Sequence, residues 1–126
     1  MGYTIKNLRD VEDMAVRHGF SETQEARFAR GDLEAQDTGI SHHVVHPGKR
    51  QAFAHRHRDA EEIYVVLAGS GRIKLDDDVV DVGAYDAIRI SPETTRAIEA
   101  GPEGIEVLAV GPHHDDAEMV QGFWDA

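Results

Sequence analysis

Three residues with metal-ligating side chains lie close together in the sequence: His55, His57 and Glu62. Because side chains alternate along a β-strand, the two histidines, separated by one residue, project from the same face. Glu62 opens an apolar run at residues 63–68, which is predicted to form a neighbouring strand. Two imidazole nitrogens and one carboxylate oxygen suit a divalent transition metal. The spacing therefore predicts a metal site within an antiparallel sheet.

These residues belong to a longer pattern, Gly48 followed by His55-x-His57-x4-Glu62-x6-Gly69. The pattern resembles the first signature motif of the cupin superfamily, although that family usually has one residue fewer between the glycine and the first histidine. The resemblance implies an all-β fold, a cupin-type jelly-roll β-barrel. It also implies that His55, His57 and Glu62 are the metal ligands, with Fe, Mn, Zn or Ni as the divalent transition metal.

A second motif is expected between Gly83 and Arg96. In the family, a Gly-Asp pair, an apolar strand and a Pro-x-Gly turn are followed by a histidine that completes the metal site. Here Arg96 stands at the position of that histidine, and Glu93 stands where the turn glycine is expected. Together the two motifs cover residues 48–96, and the remaining segments carry no motif of the family.

Arg96 cannot replace the missing histidine, because a guanidinium keeps its proton in proteins and has no lone pair to offer. At about 5 Å it would also repel a unit positive charge by roughly 3 kcal/mol. Three arrangements stay open. Arg96 turns away and leaves a site of two histidines and one glutamate, or it pairs with Glu62 and displaces the metal. Alternatively, it holds the carboxylate or enolate of a bound substrate beside the metal. Arg96 and Tyr64, which shares the face of Glu62, are the predicted ligand-binding residues.

Other histidines are weaker candidates. His42 and His46 share one face of a predicted strand and His43 takes the other, so one of them could add a further ligand. The cluster at residues 113–116 is interpreted as a solvated loop, because it follows the last predicted strand. The acidic triplet at residues 76–78 is interpreted as a hairpin turn, since it lacks the alternating pattern of a calcium loop.

The chain divides into three predicted parts. Residues 1–36 form a short N-terminal helix and short strands that pack on the barrel, residues 37–112 form the barrel, and residues 113–126 form a C-terminal tail. The helix is predicted to begin after Asp10 and to end at Gly19. Short strands are predicted at residues 25–30 and 33–36, and the strand of Glu62 is predicted to end in a glycine turn at residues 69–71.

Composition indicates one domain of 126 residues with a formal net charge of −11, which excludes nucleic acid and anionic membranes as primary partners. The chain contains no cysteine, its first residues lack the apolar core of a secretory signal, and no apolar run approaches the length of a membrane span. We therefore expect a cytoplasmic protein.

We expect one of two functions and one oligomeric state. The first function is a metalloenzyme on a small organic substrate, for which the resemblance implies oxygenases, isomerases and decarboxylases. The second is a metal-free barrel that binds a small molecule, as a sensor does, without catalysis. The run at residues 63–68 is apolar on both faces, so its outer face needs a cover. The resemblance implies a homodimer.

Overall fold

The structure is a computed structural model that describes residues 2–113 and 116–125. Within those residues, eight strands form one curled sheet, a jelly-roll β-barrel, accompanied by two single-turn helices and two 3-10 turns. The strands are β1 Gln24–Phe28, β2 Thr38–Val45, β3 Ala54–His57, β4 Glu62–Leu75, β5 Asp78–Gly83, β6 Ala87–Ile90, β7 Arg96–Pro112 and β8 Ala117–Val120. The helices are α1 Met14–Arg17 and α2 Arg30–Leu33, and the 3-10 turns are Leu8–Asp10 and Phe123–Asp125.

The two longest strands, β4 and β7, pair antiparallel along most of their length and form the spine of the barrel. β7 also pairs with β2 and β3, whereas β4 pairs with β5 and β6. Tyr64 and Val66 of β4 lie opposite Ala109 and Val107 of β7, and all four are buried. These strands therefore turn alternate side chains into the barrel, as the strand period requires.

The predicted glycine turn at residues 69–71 is wrong, because β4 continues through it to Leu75. The pairing of β4 with β7 shifts register on both sides of Gly69, which has a φ of +76°. A Cβ atom at Gly69 would lie 2.1 Å from the carbonyl oxygen of Gly104. The glycine therefore permits a bulge and a close backbone approach, not a chain reversal.

The N-terminal helix is shorter than predicted and begins later. Asp13, not Asp10, caps α1 by accepting a hydrogen bond from the N–H of Ala15 at 3.0 Å, and Asp10 lies in the preceding 3-10 turn. The predicted strand at residues 33–36 is also wrong. The N–H of Leu33 donates instead to the carbonyl of Ala29 at 2.9 Å, which closes the single turn of α2.

The C-terminal segment contains a strand that the sequence interpretation missed. β8 pairs antiparallel with β3, and it places Ala117 opposite His57. Asp116, which was interpreted as part of a solvated loop, is only 7% exposed. Its neighbours His114 and Asp115 lie outside the described residues. By contrast, the hairpin turn predicted at residues 76–78 is confirmed, since it joins β4 to β5.

Among the described residues, the helices are all too short to cross a membrane.

Candidate metal centre

The three predicted metal ligands come together inside the barrel. One ligand atom from each of His55, His57 and Glu62 lies within 4.8 Å of the other two. β3 supplies both histidines from its inner face, whereas Arg56 between them is exposed and pairs with Glu118. Glu62 is the first residue of β4. The alternation of β3 thus produces the histidine pair, as the sequence predicts.

Donor spacing matches the ligand shell of a single ion. Nε2 of His57 lies 3.2 Å from Oε1 of Glu62, and Nε2 of His55 lies 3.5 Å from the same oxygen. With ligand bonds of about 2.1 Å, neighbouring donors around one ion are roughly 3.0–3.4 Å apart. Nε2 of His57 is also buried without a hydrogen-bond partner. A metal would satisfy this atom, so the residues present fit a divalent ion.

Asp116 fixes the orientation of His57. Its Oδ1 lies 2.8 Å from Nδ1 of His57, and its Oδ2 accepts from the backbone N–H groups of Asp59 and Ala60 at 2.7 and 3.1 Å. A carboxylate only accepts hydrogen bonds, so Nδ1 of His57 carries the proton and Nε2 faces Glu62. This carboxylate–histidine contact is the support that metal-bound histidines commonly have. Sequence reasoning missed Asp116, because nothing in its local pattern indicates pairing with β3.

Arg96 points into the site and contacts Glu62. The side chain is fully buried, and its Nη2 donates to Oε1 of Glu62 at 2.5 Å. Its Nη1 donates to the carbonyl of Thr94 at 2.8 Å and approaches the carbonyls of Ser91 and Pro92 at 3.5 and 3.2 Å. Of the three arrangements left open by the sequence, the structure shows the contact with Glu62. The guanidinium neither turns away nor reaches the open cavity.

The charges in this cluster shift one another's pKa values. Burial alone would raise the pKa of Glu62, but the surrounding imidazoles and guanidinium outweigh burial and hold that pKa well below its usual range. The Glu62 carboxylate raises the pKa of His57, against the effect of burial and with help from Asp116. Burial lowers the pKa of His55 despite its contact with Glu62. The carboxylate is therefore ionised and ready to bind a cation.

The family follows from the sequence match that coincides with this geometry. Residues 41–111, which include His55, His57, Glu62 and both motifs, match the family Cupin_2, described as a cupin domain. The chain belongs to the cupin family. Its relatives include an uncharacterized protein, MJ1618, from Methanocaldococcus jannaschii, which is 30% identical over 106 residues covering 68% of this chain and 85% of that protein.

Solved structures show the same cupin fold. A cupin protein from Bacteroides fragilis has a TM-score of 0.73 at 22% identity and covers 98% of this chain and 94% of its own. The polyketide cyclase RemF from Streptomyces resistomycificus has a TM-score of 0.73 at 22% identity, and the match covers 93% of this chain and 84% of the cyclase chain. A mutant of Bacillus subtilis oxalate decarboxylase has a TM-score of 0.74 at 21% identity, and this cupin spans 33% of that chain.

The candidate metal site of this cupin lies between two cavities. An inner cavity of about 180 Å³ enters the barrel, and its lining includes both histidines, Glu62 and Tyr64. An outer cleft of about 360 Å³ shares His57 and Glu62 and leads toward Pro112 on the surface. Tyr64 is 3% exposed, and burial raises the pKa of its phenol. A small molecule could therefore reach the predicted ligands from outside and meet Tyr64 deeper in this cupin.

Three further histidines on or next to β2, namely His42, His43 and His46, lie outside the three-ligand cluster of this cupin. His43 faces the inner cavity, where its Nε2 lies 2.8 Å from Oγ of Ser41, and burial lowers its pKa to about 4. His42 lies on the opposite face of β2, with Nε2 3.1 Å from Glu106. His46 lies 3.0 Å from the carbonyl oxygen of Glu22 through its Nδ1. Within the described residues, the geometry groups none of the three with the predicted ligands.

Proposed function

We propose that this cupin binds one divalent transition metal through His55, His57 and Glu62, and that the metal binds a small organic ligand in the barrel. The observation that carries the proposal is the convergence of both imidazole Nε2 atoms on one carboxylate oxygen. The buried Nε2 of His57, which lacks a hydrogen-bond partner, supports it. Two histidines and one carboxylate leave open positions, the arrangement of facial-triad iron sites.

A bound metal at this site would supply Lewis-acid polarisation of an oxygen-bearing ligand. The chain's own residues do the positioning. Asp116 keeps Nε2 of His57 directed at the site, and Arg96 holds Glu62 by its Oε1. The guanidinium balances the Glu62 carboxylate, so a divalent ion would leave the cluster with a net positive charge. That charge favours an anionic ligand, such as an organic carboxylate.

A metal-free barrel that binds a small molecule is the second candidate. The contact between Arg96 and Glu62 favours it, because an arginine at hydrogen-bond distance already satisfies the carboxylate that a metal would use. In that case the cavity would hold its ligand without turnover, as a sensor or carrier does. The two candidates make opposite predictions about the effect of a chelator.

Calorimetric binding of oxalate, a small two-carboxylate probe, distinguishes them. We expect oxalate to bind zinc-loaded protein and to lose most of its affinity when the protein is stripped with EDTA. A His57→Ala variant should bind oxalate as weakly as stripped wild-type protein does, whether or not zinc has been added. Equal oxalate affinity in loaded and stripped wild-type protein would contradict the metal proposal and support the metal-free barrel.

We also propose that the chain forms a homodimer through the outer face of β4. Ile63 on that face is 41% exposed, and it lies opposite Val110 of β7, which in turn lies opposite Ile40 of β2. Val65 and Leu108 form a second apolar pair beside this row. A contiguous apolar strip on an exposed sheet face is commonly buried against another protein surface. A second copy related by a two-fold axis can cover it with the same strip.

A further inference from the structure

Two glutamine side chains line the inner cavity beyond the metal centre. Gln24 accepts a hydrogen bond from the N–H of Ala52 at 2.7 Å through its Oε1. Gln51 accepts one from the N–H of Ile98 at 3.0 Å, also through its Oε1. These bonds fix which end of each amide is the oxygen, because the reversed amide would direct NH₂ at a backbone donor. Each amide is therefore left with its NH₂ group to offer the cavity.

Strand register places Gln24 at the end of the cavity away from the outer cleft. Along β1 the inward residues are Phe28, Ala26 and Gln24, and they lie opposite Ser41, His43 and Val45 of β2. Phe28 and Ser41 are shared with the outer cleft, whereas Val45 belongs to the buried core. At about 3.3 Å per residue, four residues along β1 span roughly 13 Å. Gln24 thus lies roughly 13 Å along β1 from Phe28, which borders the outer cleft.

Gln51 lies at the same end as Gln24. The backbone of Gln51 donates to the carbonyl of Ile98, which is a core residue, and the adjacent Ala52 is the partner of Gln24. Between these amides and the candidate metal centre the cavity wall includes Phe53, Tyr64 and His43. The cavity therefore has a metal-ligand end, a middle with two aromatic side chains and one histidine, and a hydrogen-bond-donor end.

We infer that Gln24 and Gln51 form an acceptor-recognition subsite, so that the ligand is an organic acid with an uncharged oxygen acceptor at its far end. The inference rests on the proposed function for the carboxylate end of the ligand. A ketone or amide oxygen suits this end, since the amides supply donors there without a cation to balance a charged ligand group. At about 180 Å³ the cavity is below the ~300 Å³ of drug-sized pockets, which limits the ligand to a short chain or a small ring.

Matched acids test this inference on the zinc-loaded protein. We would measure calorimetric affinities for 4-oxopentanoate, 5-oxohexanoate and 6-oxoheptanoate against pentanoate, hexanoate and heptanoate. Each pair has the same length and differs in one ketone oxygen. At least one oxo acid should bind about tenfold more tightly than its saturated partner, the size expected of one net hydrogen bond.

The variants Gln24→Glu and Gln51→Glu keep an oxygen for Ala52 or Ile98 and replace the NH₂ donor with an acceptor. Each should reduce the oxo-acid preference to about onefold, and a cooperative thermal unfolding transition checks that each variant is folded. Gln36→Glu, at an exposed position, is the matched control and should keep the preference. A preference that is absent from wild type for all three pairs, or that survives both cavity variants, would overturn the inference.

Zinc titration of the same samples tests the proposed metal binding separately from the amide subsite. Wild type that binds zinc but shows no oxo-acid preference would retain the metal centre and overturn the amide subsite. Wild type that binds no zinc but still prefers an oxo acid would retain the subsite and contradict the metal centre.

Discussion

Arg96 of β7 donates a hydrogen bond to Glu62 of β4 at 2.5 Å, and its side chain is fully buried. The resemblance of the second motif predicts that Arg96 stands where the family usually has its last metal-ligating histidine. Pairing with Glu62 does not by itself exclude a metal, because an ionised carboxylate offers about four lone-pair sites on two oxygens. Arg96 uses one of them, and it also holds the chain at Ser91–Thr94 through backbone carbonyls.

Replacing Arg96 with histidine should strengthen zinc binding by about a hundredfold. The change removes a cation that repels a unit positive charge by roughly 3 kcal/mol at about 5 Å, and a dication by more, and it adds a neutral nitrogen. The fold should lose stability, because Glu62 loses its buried partner, and breaking such a pair costs about 3–5 kcal/mol. Calorimetric zinc titration of metal-free protein, together with thermal unfolding, measures both effects.

Arg72→His is the matched control for this prediction. Arg72 is half-exposed on β4 and pairs with Glu99, away from the metal centre. The control should leave zinc affinity as in wild type. If Arg96→His and Arg72→His bind zinc equally, the charge of Arg96 does not act on the site.

Asp116→Asn should lower metal affinity by about 10- to 100-fold, the usual effect of losing the partner of a metal-bound histidine. Asparagine would turn an NH₂ group toward either His57 or the N–H groups of Asp59 and Ala60, which the carboxylate now satisfies. Zinc titration measures the affinity, and imidazole ¹⁵N shifts report which nitrogen of His57 carries the proton. Glu118→Gln, at an exposed position on β8, should leave both unchanged. A normal His57 tautomer and normal affinity in Asp116→Asn would refute the positioning role.

Some of these residues and contacts could be predicted from the sequence, and others could not. The pair His55–His57 with Glu62 is predictable, because alternation in one strand and an apolar run in the next determine their faces. Asp116 is not, since its role depends on β8 returning across more than fifty residues to pair with β3. The contact of Arg96 with Glu62 is one of three arrangements that the motif allows, and side-chain packing in the barrel selects among them. Gly69 suggests a turn by its type, whereas the close approach of β7 makes it a bulge.

Glu99→Gln should make stability less dependent on pH. Arg72 and Arg50 hold the pKa of Glu99 below its usual value by hydrogen bonds. A lowered pKa contributes stability that is present above the usual carboxyl pKa and is lost as the pH falls through the folded value. Because both arginines are partly exposed, the contribution is about 1 kcal/mol or less.

Urea unfolding at pH 7 and pH 3 checks this prediction. The difference in unfolding free energy between wild type and Glu99→Gln should be present at pH 7 and shrink at pH 3. Glu103→Gln, an exposed position on the same strand, should show no such trend. A difference in unfolding free energy that is larger at pH 3 than at pH 7 would contradict a lowered pKa of Glu99.

Ile63→Lys should convert the proposed homodimer to a monomer, since it places a charge in the apolar strip between β4 and β7. Sedimentation at tens of micromolar should give twice the 13.9 kDa chain mass for wild type and the single-chain mass for the variant. Val79→Lys, on the β5 hairpin and 43% exposed, should remain dimeric. A wild-type protein that sediments as a 13.9 kDa monomer contradicts the dimer directly.

The metal content of the purified protein tests the central claim most directly. Protein prepared without an affinity tag would be analysed for first-row metals beside His57→Ala and beside His18→Ala, which changes an exposed histidine far along the chain. We expect about one divalent ion per chain in wild type and in His18→Ala, and little or none in His57→Ala, because that variant removes one of the three ligands. Equal, near-zero metal in all three proteins, before and after incubation with zinc and manganese, would contradict the metal centre.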